Sequence, residues 1–406
     1  MRGSCPNVKI IFGNGLPYGG ASTKRCLHIA KGLQEYGFTV EIVVYRGTET
    51  DEHTENKFTS GVFDGVKFYY VHDSTEWPKS KPKKFINLFS GIFKLLAYLH
   101  RENSKNKIDA MLLYGTYLNS LNLLLAAISK FRNTIYVFSL DEYPDHIIYP
   151  EAKRFYSRVL FEKVFIRRFD FILVISKVLV EYCTSIGMHK EKILFFPLTA
   201  TEWTGKVTLS RTHNYFFYSG FNRTRRGHHS YEKDDPKTLF KAFAGLSEIF
   251  PNVKLVIAGQ LDPLLQKLAD DCNLLDKITF TGKIPDEEYH GYINNALALV
   301  IPRPGNPKSD ASIPFRLGEY LLTGNPVIVA QTRELNSILN DGEHLFFYTP
   351  GDVSDLQKKI ELILEDQFLA KTIGRNGKLI ASEIFNLKSV NYELVEKIKK
   401  RLREIE

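Results

Sequence analysis

Short apolar runs rich in Val, Ile, Leu and Phe alternate with longer stretches of helical period from one end of this 406-residue chain to the other. Near-continuous apolar strands joined through helices build parallel sheets covered by helices on both faces. Residues 9–12, 39–45, 66–71, 110–114, 134–139 and 171–175 read as strands of one such sheet, with a helix over 23–36 between the first two. Residues 215–219, 253–258, 278–281, 298–301, 327–330 and 345–348 read as a second. A helix there runs through Leu239, Ala242, Phe243, Leu246 and Ile249, whose spacing marks one buried face. The length exceeds what one hydrophobic core serves. The expected fold class is therefore α/β with two Rossmann-like, doubly wound domains, 1–200 and 201–388. A polar linker falls at 197–206, and a basic last helix within 389–406 packs back on the first domain.

Composition narrows the function classes. Apolar residues make up 44% and charged residues 25%, as in a chain that folds throughout. Cys5, Cys26, Cys183 and Cys272 are scattered without a C-x-x-C pair, which speaks against a disulfide framework or a zinc site and for a reducing compartment. The first apolar run, 8–12, is too short for a signal sequence, and no stretch reaches membrane-spanning length. The expected location is the cytoplasm.

A net charge of +8 implies anionic partners. Lys79, Lys81, Lys83 and Lys84 precede Phe85, Leu88, Phe89, Ile92, Phe93, Leu96 and Leu99 at helical spacing, with Lys94 and Arg101 following. The segment 79–101 reads either as a helix on an anionic membrane surface or as a core-facing helix with a basic start. Phosphorylated small molecules are the other expected anion, and nucleic acid is not expected.

Between the first strand and helix lies Gly13-Asn14-Gly15-Leu16-Pro17-Tyr18-Gly19-Gly20, a loop that turns sharply and leads to helix amides suited to a phosphate or carboxylate. Its G-x-G-x-x-x-G spacing, with Arg46 after the second strand, also suits an NADP-dependent oxidoreductase. Pro17 and Gly20 crowd that turn, and no hydride-transfer motif follows. A tight turn without a ligand is the plain alternative.

The most informative stretch is 309–329, SDASIPFRLGEYLLTGNPVIV: a polar loop after a strand, a short helix, a Gly-x-Pro turn and a buried strand. Such a loop lies at the carboxyl edge of a parallel sheet, where open α/β folds bind ligands. Glu319 stands in the middle of an otherwise apolar helix, where a carboxylate can accept both hydroxyls of a ribose. The stretch resembles the donor-binding motif of family 4 retaining GT-B glycosyltransferases of the bacterial surface-polysaccharide type, in its P-x-[KR]-x-x-E-Y-x-x-x-G-x-P-V-I variant. Three further segments resemble the same family: Tyr18-Gly19-Gly20-Ala21-Ser22 its opening loop, 36–40 its second strand entry, and Ser219-Gly220 with 233–239 the start of its second domain.

The resemblance implies two domains facing a central cleft and a nucleotide-sugar donor. It implies that Glu319 binds the ribose, and that Ser312, Ile313, Pro314 and Arg316, with Gly19, Gly20 and Gly220, line the donor site. It also implies a lysine and an arginine that neutralise the diphosphate: Lys233, and one of Arg223, Arg225 and Arg226. Those cations stand in for a metal, since no D-x-D sits at a strand end; neither metal nor cofactor is expected, and His228-His229 lacks further ligands at metal spacing. Many members carry a second glutamate where this chain has Ala311, with Asp310 adjacent as a substitute contact to the sugar. Asp141 and Glu142, in Ser139-Leu140-Asp141-Glu142-Tyr143-Pro144 after an apolar strand, are candidate contacts to the acceptor or the donor sugar, a cap or loop salt bridge being the other reading. The acceptor is expected to be a glycan or a lipid-linked saccharide. A non-catalytic sugar or lipid binding protein is a further reading that Ala311 leaves open.

Overall fold

The computed structural model describes residues 5–50, 55–114, 131, 133–142, 158–205, 214–220, 234–259 and 263–405. The chain forms two compact units: Met1–Thr199 together with Leu387–Glu406, and Ala200–Asn386.

The first unit contains β1 (Asn7–Phe12), α1 (Ala21–Glu35), β2 (Thr39–Val44), β3 (Ser60–Phe63), β4 (Val66–Tyr70), α2 (Lys81–Lys105), β5 (Ala110–Tyr114), β6 (Ile135–Leu140), β7 (Phe171–Val174), α3 (Lys177–Ser185) and β8 (Ile193–Phe195). Its sheet runs in the order β3-β4-β2-β1-β5-β6-β7-β8. Every residue of β1, β5, β6 and β7 is buried, as strands covered on both faces require.

The expectation of a purely parallel sheet needs one correction. β3 is antiparallel to β4, joined to it by Asp64-Gly65, both with positive φ. Two successive positive φ values match the right-handed twist of a hairpin. β3 is a mostly exposed edge strand and has no buried run to reveal it.

The terminal helix, Leu387–Ile405, lies against α1 and adds Leu394, Val395 and Ile398 to the first unit's core. Asn391 is fully buried there and donates to the Leu387 carbonyl at 2.8 Å. A Cβ on Gly32 of α1 would stand 2.0 Å from Asn391 Nδ2. Gly32→Ala is expected to cost about 2 kcal/mol by overpacking, seen as a lower thermal midpoint. An unchanged midpoint would mean that this contact yields freely.

The second unit contains β9 (Tyr215–Ser219), α4 (Pro236–Leu246), β10 (Lys254–Ala258), α5 (Pro263–Asp271), β11 (Ile278–Gly282), α6 (Asp286–Asn295), β12 (Ala298–Ile301), α7 (Pro307–Asp310), α8 (Phe315–Leu322), β13 (Val327–Ala330), α9 (Arg333–Asn336), β14 (Phe346–Tyr348), α10 (Val353–Glu365) and α11 (Gln367–Ile384). Its strands are all parallel, in the order β11-β10-β9-β12-β13-β14. The buried face of α4 packs with that of α10 over this sheet.

The segment 79–101 also departs from expectation. Its apolar residues form two faces rather than one stripe: Ile92, Leu95, Tyr98 and Leu99 are buried, whereas Phe85, Ile86, Phe89 and Phe93 are exposed.

Candidate functional site

In the second unit β10 and β12 lie on opposite sides of β9, so the winding of the chain reverses there. At such a switch point the loops leaving neighbouring strands part, and open α/β sheets bind ligands outside the carboxyl ends. Ser219 and Gly220 leave β9; Arg303 and the stretch through Ser312 and Ile313 leave β12 and lead to Pro314, which caps α8.

Helix α8 presents a line of polar groups to this edge. Tyr320 Oη is 2.9 Å from Ser219 Oγ and receives the Ser219 amide at 3.1 Å. One turn earlier, Arg316 donates to the Ser219 carbonyl and to Asp234, and its guanidinium lies 5.3 Å from the centroid of the Tyr218 ring. Tyr218 Oη donates to Asp234 at 3.2 Å. Asp235 caps α4, donating its amide to the Pro302 carbonyl and accepting from Thr238. These contacts fasten the end of β9 and the start of α4 to α8.

Glu319 accepts a hydrogen bond from Tyr289 Oη of α6 at 3.1 Å. Burial and the adjacent Glu319 carboxylate push the Tyr289 hydroxyl well above the usual tyrosine range, so it stays a donor at neutral pH. The arrangement orients one carboxylate oxygen.

The loop after β12 is held from below by a residue that no sequence motif singled out. Arg303 is 5% exposed, donates to the Ser312 carbonyl at 3.3 Å and to Ser312 Oγ at 2.8 Å, and has no carboxylate in ion-pair range among the described residues. Burial lowers its pKa to about 10, which leaves it cationic at neutral pH. Arg316 and Arg303 thus share the field of Asp234. Only the strand order brings them together. Ala311 is buried at 3% exposure, and Asp310 accepts the Arg333 amide at 3.1 Å, at the start of α9, which Thr332 caps. Gly220 donates its amide to the Ala258 carbonyl at 3.1 Å. Gly259, the residue after Ala258, has φ +135° and approaches Gly220 so closely that a Cβ would stand 2.2 Å from the Gly220 oxygen. Lys233, Arg223, Arg225, Arg226, His228 and His229 lie outside the described residues.

The first unit has its own switch point, between β1 and β5. The glycine loop there is pinned by side chains: Tyr70 Oη bonds the Leu16 amide, Asn56 bonds both the amide and the carbonyl of Tyr18, and Thr23 Oγ1 donates to the Gly15 carbonyl. Gly19 packs on Thr23, while Gly20, at the N-cap of α1, faces open space. Arg46, considered above for an NADP-dependent oxidoreductase, donates to the Gly13 carbonyl at 2.5 Å and lies over Trp77. Asp141 was left between a sugar contact and a salt bridge, and a salt bridge is present. It pairs with Arg25 Nε at 3.2 Å and accepts from Ser139 Oγ at 2.7 Å. Arg25 is buried and also donates to the carbonyls of Phe196 and Pro197. Glu142 is exposed; Tyr143 and Pro144 lie outside the described residues.

The sequence matches two family models: "Glycosyl transferase 4-like domain" over residues 20–199 and "Glycosyl transferases group 1" over residues 227–380. The chain belongs to the GT-B glycosyltransferases. The first match falls within the unit holding the glycine loop, and the second within the unit holding Arg316 and Glu319. The glycosyltransferase chain is 24% identical over 157 residues to the MMP alpha-(1->4)-mannosyltransferase of Mycolicibacterium hassiacum. That stretch is 38% of this chain and spans 37% of that curated relative. In fold it is similar to sucrose-phosphate synthase from Thermosynechococcus elongatus, with a TM-score of 0.72, 17% identity and coverage of 98% of this chain and 100% of that one. It is likewise similar to Anabaena HepE in complex with UDP and glucose, with a TM-score of 0.67, 15% identity and coverage of 97% and 100%. With the family placed, Arg46 no longer supports the oxidoreductase reading, because its Nε is engaged by the loop it would have served.

Proposed function

We propose that this glycosyltransferase moves a sugar from a UDP- or GDP-sugar to a glycan or lipid-linked acceptor in the synthesis of surface polysaccharide or another glycoconjugate. In this reading the transfer proceeds with retention, needs no metal ion, and takes place in the cytoplasm or at the inner face of the membrane. The observation that carries the donor half is Glu319, an oriented carboxylate on the helix that flanks the β9–β12 switch point. In this reading Glu319 accepts the ribose hydroxyls, while Gly220, Ser312, Ile313, Pro314 and Arg316 line the nucleotide site and Arg303 holds the loop carrying Ser312. Lys233 and Arg223 or Arg225 meet the diphosphate, whose departing oxygen gains negative charge as its bond to the sugar breaks. The bond from the acceptor oxygen to the anomeric carbon forms on the same face, and the acceptor proton passes to the leaving phosphate. In the first unit, Gly19 and Gly20 are assigned to the donor, Glu142 is offered to the acceptor or the donor sugar, and Asp141, already paired with Arg25, acts by holding that loop.

The test is a thermal-shift panel of UDP, GDP, UDP-sugars, GDP-mannose and NADPH with EDTA present. A ligand that binds only the folded state, at about a hundredfold its Kd, adds about 2.7 kcal/mol. A rise with UDP or GDP in EDTA is expected and names the base. A response to NADPH alone overturns the reading, and nucleotide binding that requires restored divalent cation overturns metal independence. One observation favours a binding-only protein, the buried Ala311; donor turnover separates the two.

A further inference from the structure

Helix α2 begins at Ser80, which caps it through the Lys83 amide, and has Pro82 in its first turn. From there Phe85, Ile86, Phe89 and Phe93 form an exposed ridge, with exposures of 65%, 62%, 46% and 62%. The rings lie against one another, with centroids 5.5 Å apart for Phe85–Phe89 and 5.7 Å for Phe89–Phe93. Exposed aromatic residues in a contiguous row signal a surface that meets something apolar. The buried face of the same helix, Gly91, Ile92, Leu95, Tyr98 and Leu99, already holds it to the unit.

Charge identifies the partner. Lys81, Lys83 and Lys84 occupy the first turn, and Lys83, Lys94 and Arg101 fall along one flank of the ridge by helical spacing. The facing acids are few: Asp73 pairs with Lys94 at 3.8 Å, Glu76 lies in the preceding segment, and Glu102 pairs with Arg101 at 3.7 Å and with Lys105 at 2.9 Å. An apolar ridge bordered by cations fits an anionic bilayer, with the rings among the acyl chains and the ammonium groups at the headgroups. The helix is not a span, since none of the described helices is long and apolar enough to cross a membrane.

The placement suits the chemistry. Asn87 Oδ1 accepts the Gly47 amide at 3.2 Å, and Gly91 is pressed on the Tyr45 carbonyl, so α2 starts beside the carboxyl end of β2. That is the edge from which the glycine loop also leaves. We propose that the Phe85, Ile86, Phe89 and Phe93 ridge docks this unit on an anionic lipid surface and so brings a lipid-linked acceptor to that edge. The inference deepens the acceptor half of the proposed function and rests on it.

Vesicle sedimentation of the full chain tests this, with phosphatidylcholine vesicles against vesicles containing phosphatidylglycerol. Binding to the anionic vesicles at low salt is expected. Phe85→Ser with Phe89→Ser and Phe93→Ser should lower the partition coefficient more than about tenfold. Lys81→Glu with Lys83→Glu and Lys84→Glu should lower it by about fivefold or more per residue at low salt. Both variants should keep the wild-type thermal midpoint and nucleotide response. Absence of wild-type binding at low salt overturns the proposal, as does a serine variant that binds like wild type. A dimer in solution that the serine variant dissociates would overturn it too, assigning the ridge to a second copy. Vesicle binding without any nucleotide response would leave the docking standing and sink the transferase reading, and the converse would do the opposite.

Discussion

Glu319→Gln is expected to lower kcat/KM for the nucleotide-sugar about a hundredfold, with most of the loss in donor KM. Hydrogen bonds to a charged acceptor contribute about 1.5–3 kcal/mol each, and the ribose diol would lose much of two. Glutamine is the informative substitution because its amide oxygen can still accept from Tyr289, which sits 3.1 Å from Glu319. The thermal midpoint should therefore stay near wild type, separating lost recognition from lost folding. Tyr289→Phe removes the orienting hydroxyl and keeps the charge, so a smaller loss of about fivefold is expected. Steady-state kinetics on the three proteins, with nucleotide binding by calorimetry, would check this. Unchanged donor KM in Glu319→Gln would remove Glu319 from the ribose and with it the main support for the donor site.

Asp234→Asn is expected to destabilise the second unit by about 3 kcal/mol or more, the usual consequence of breaking a mostly buried ion pair from one side. Side-chain exposure is 12% for Asp234 and 17% for Arg316, so water replaces little of what is lost. Arg303 compounds the effect, since Asp234 also supports its charge while Arg316 opposes it. Without the carboxylate, two guanidinium groups would share one floor. Arg316→Gln should destabilise too, and the double variant should lose clearly less than the sum of the single losses, as coupled partners do. Urea unfolding of the four proteins gives the cycle directly. Strict additivity would show that Asp234 and Arg316 act separately and that α8 is anchored by other contacts.

Much of this molecule was legible along the chain. The strands at Ala110–Tyr114, Tyr215–Ser219, Ala298–Ile301 and Val327–Ala330 have the bounds read from sequence, because a strand buried on both faces must be apolar throughout. Glu319 was legible for the opposite reason, as a carboxylate in a helix whose other positions are mostly apolar. The edge strand Ser60–Phe63 was missed because it is mostly exposed and its residues record no burial, although the Asp64-Gly65 turn beside it is a recognisable hairpin signal. The two faces of α2 were merged into one stripe, since Phe85 and Leu99 are equally apolar in a sequence and differ only in what the fold places over them.

The sequence alone determined most of the segments that become strands and helices, that there would be two sheets, and which motif belongs to a glycosyltransferase family. Those properties are written in local periodicity and in residues a few positions apart. Tertiary structure decided the partners. Arg316 meets Asp234 from 82 residues away, Arg25 meets Asp141, and Arg303 comes to hold Ser312, because the order in which strands assemble brings their carboxyl ends to common edges. A charge in a sequence has no address until that order is set, and only then does burial determine which groups must find one another.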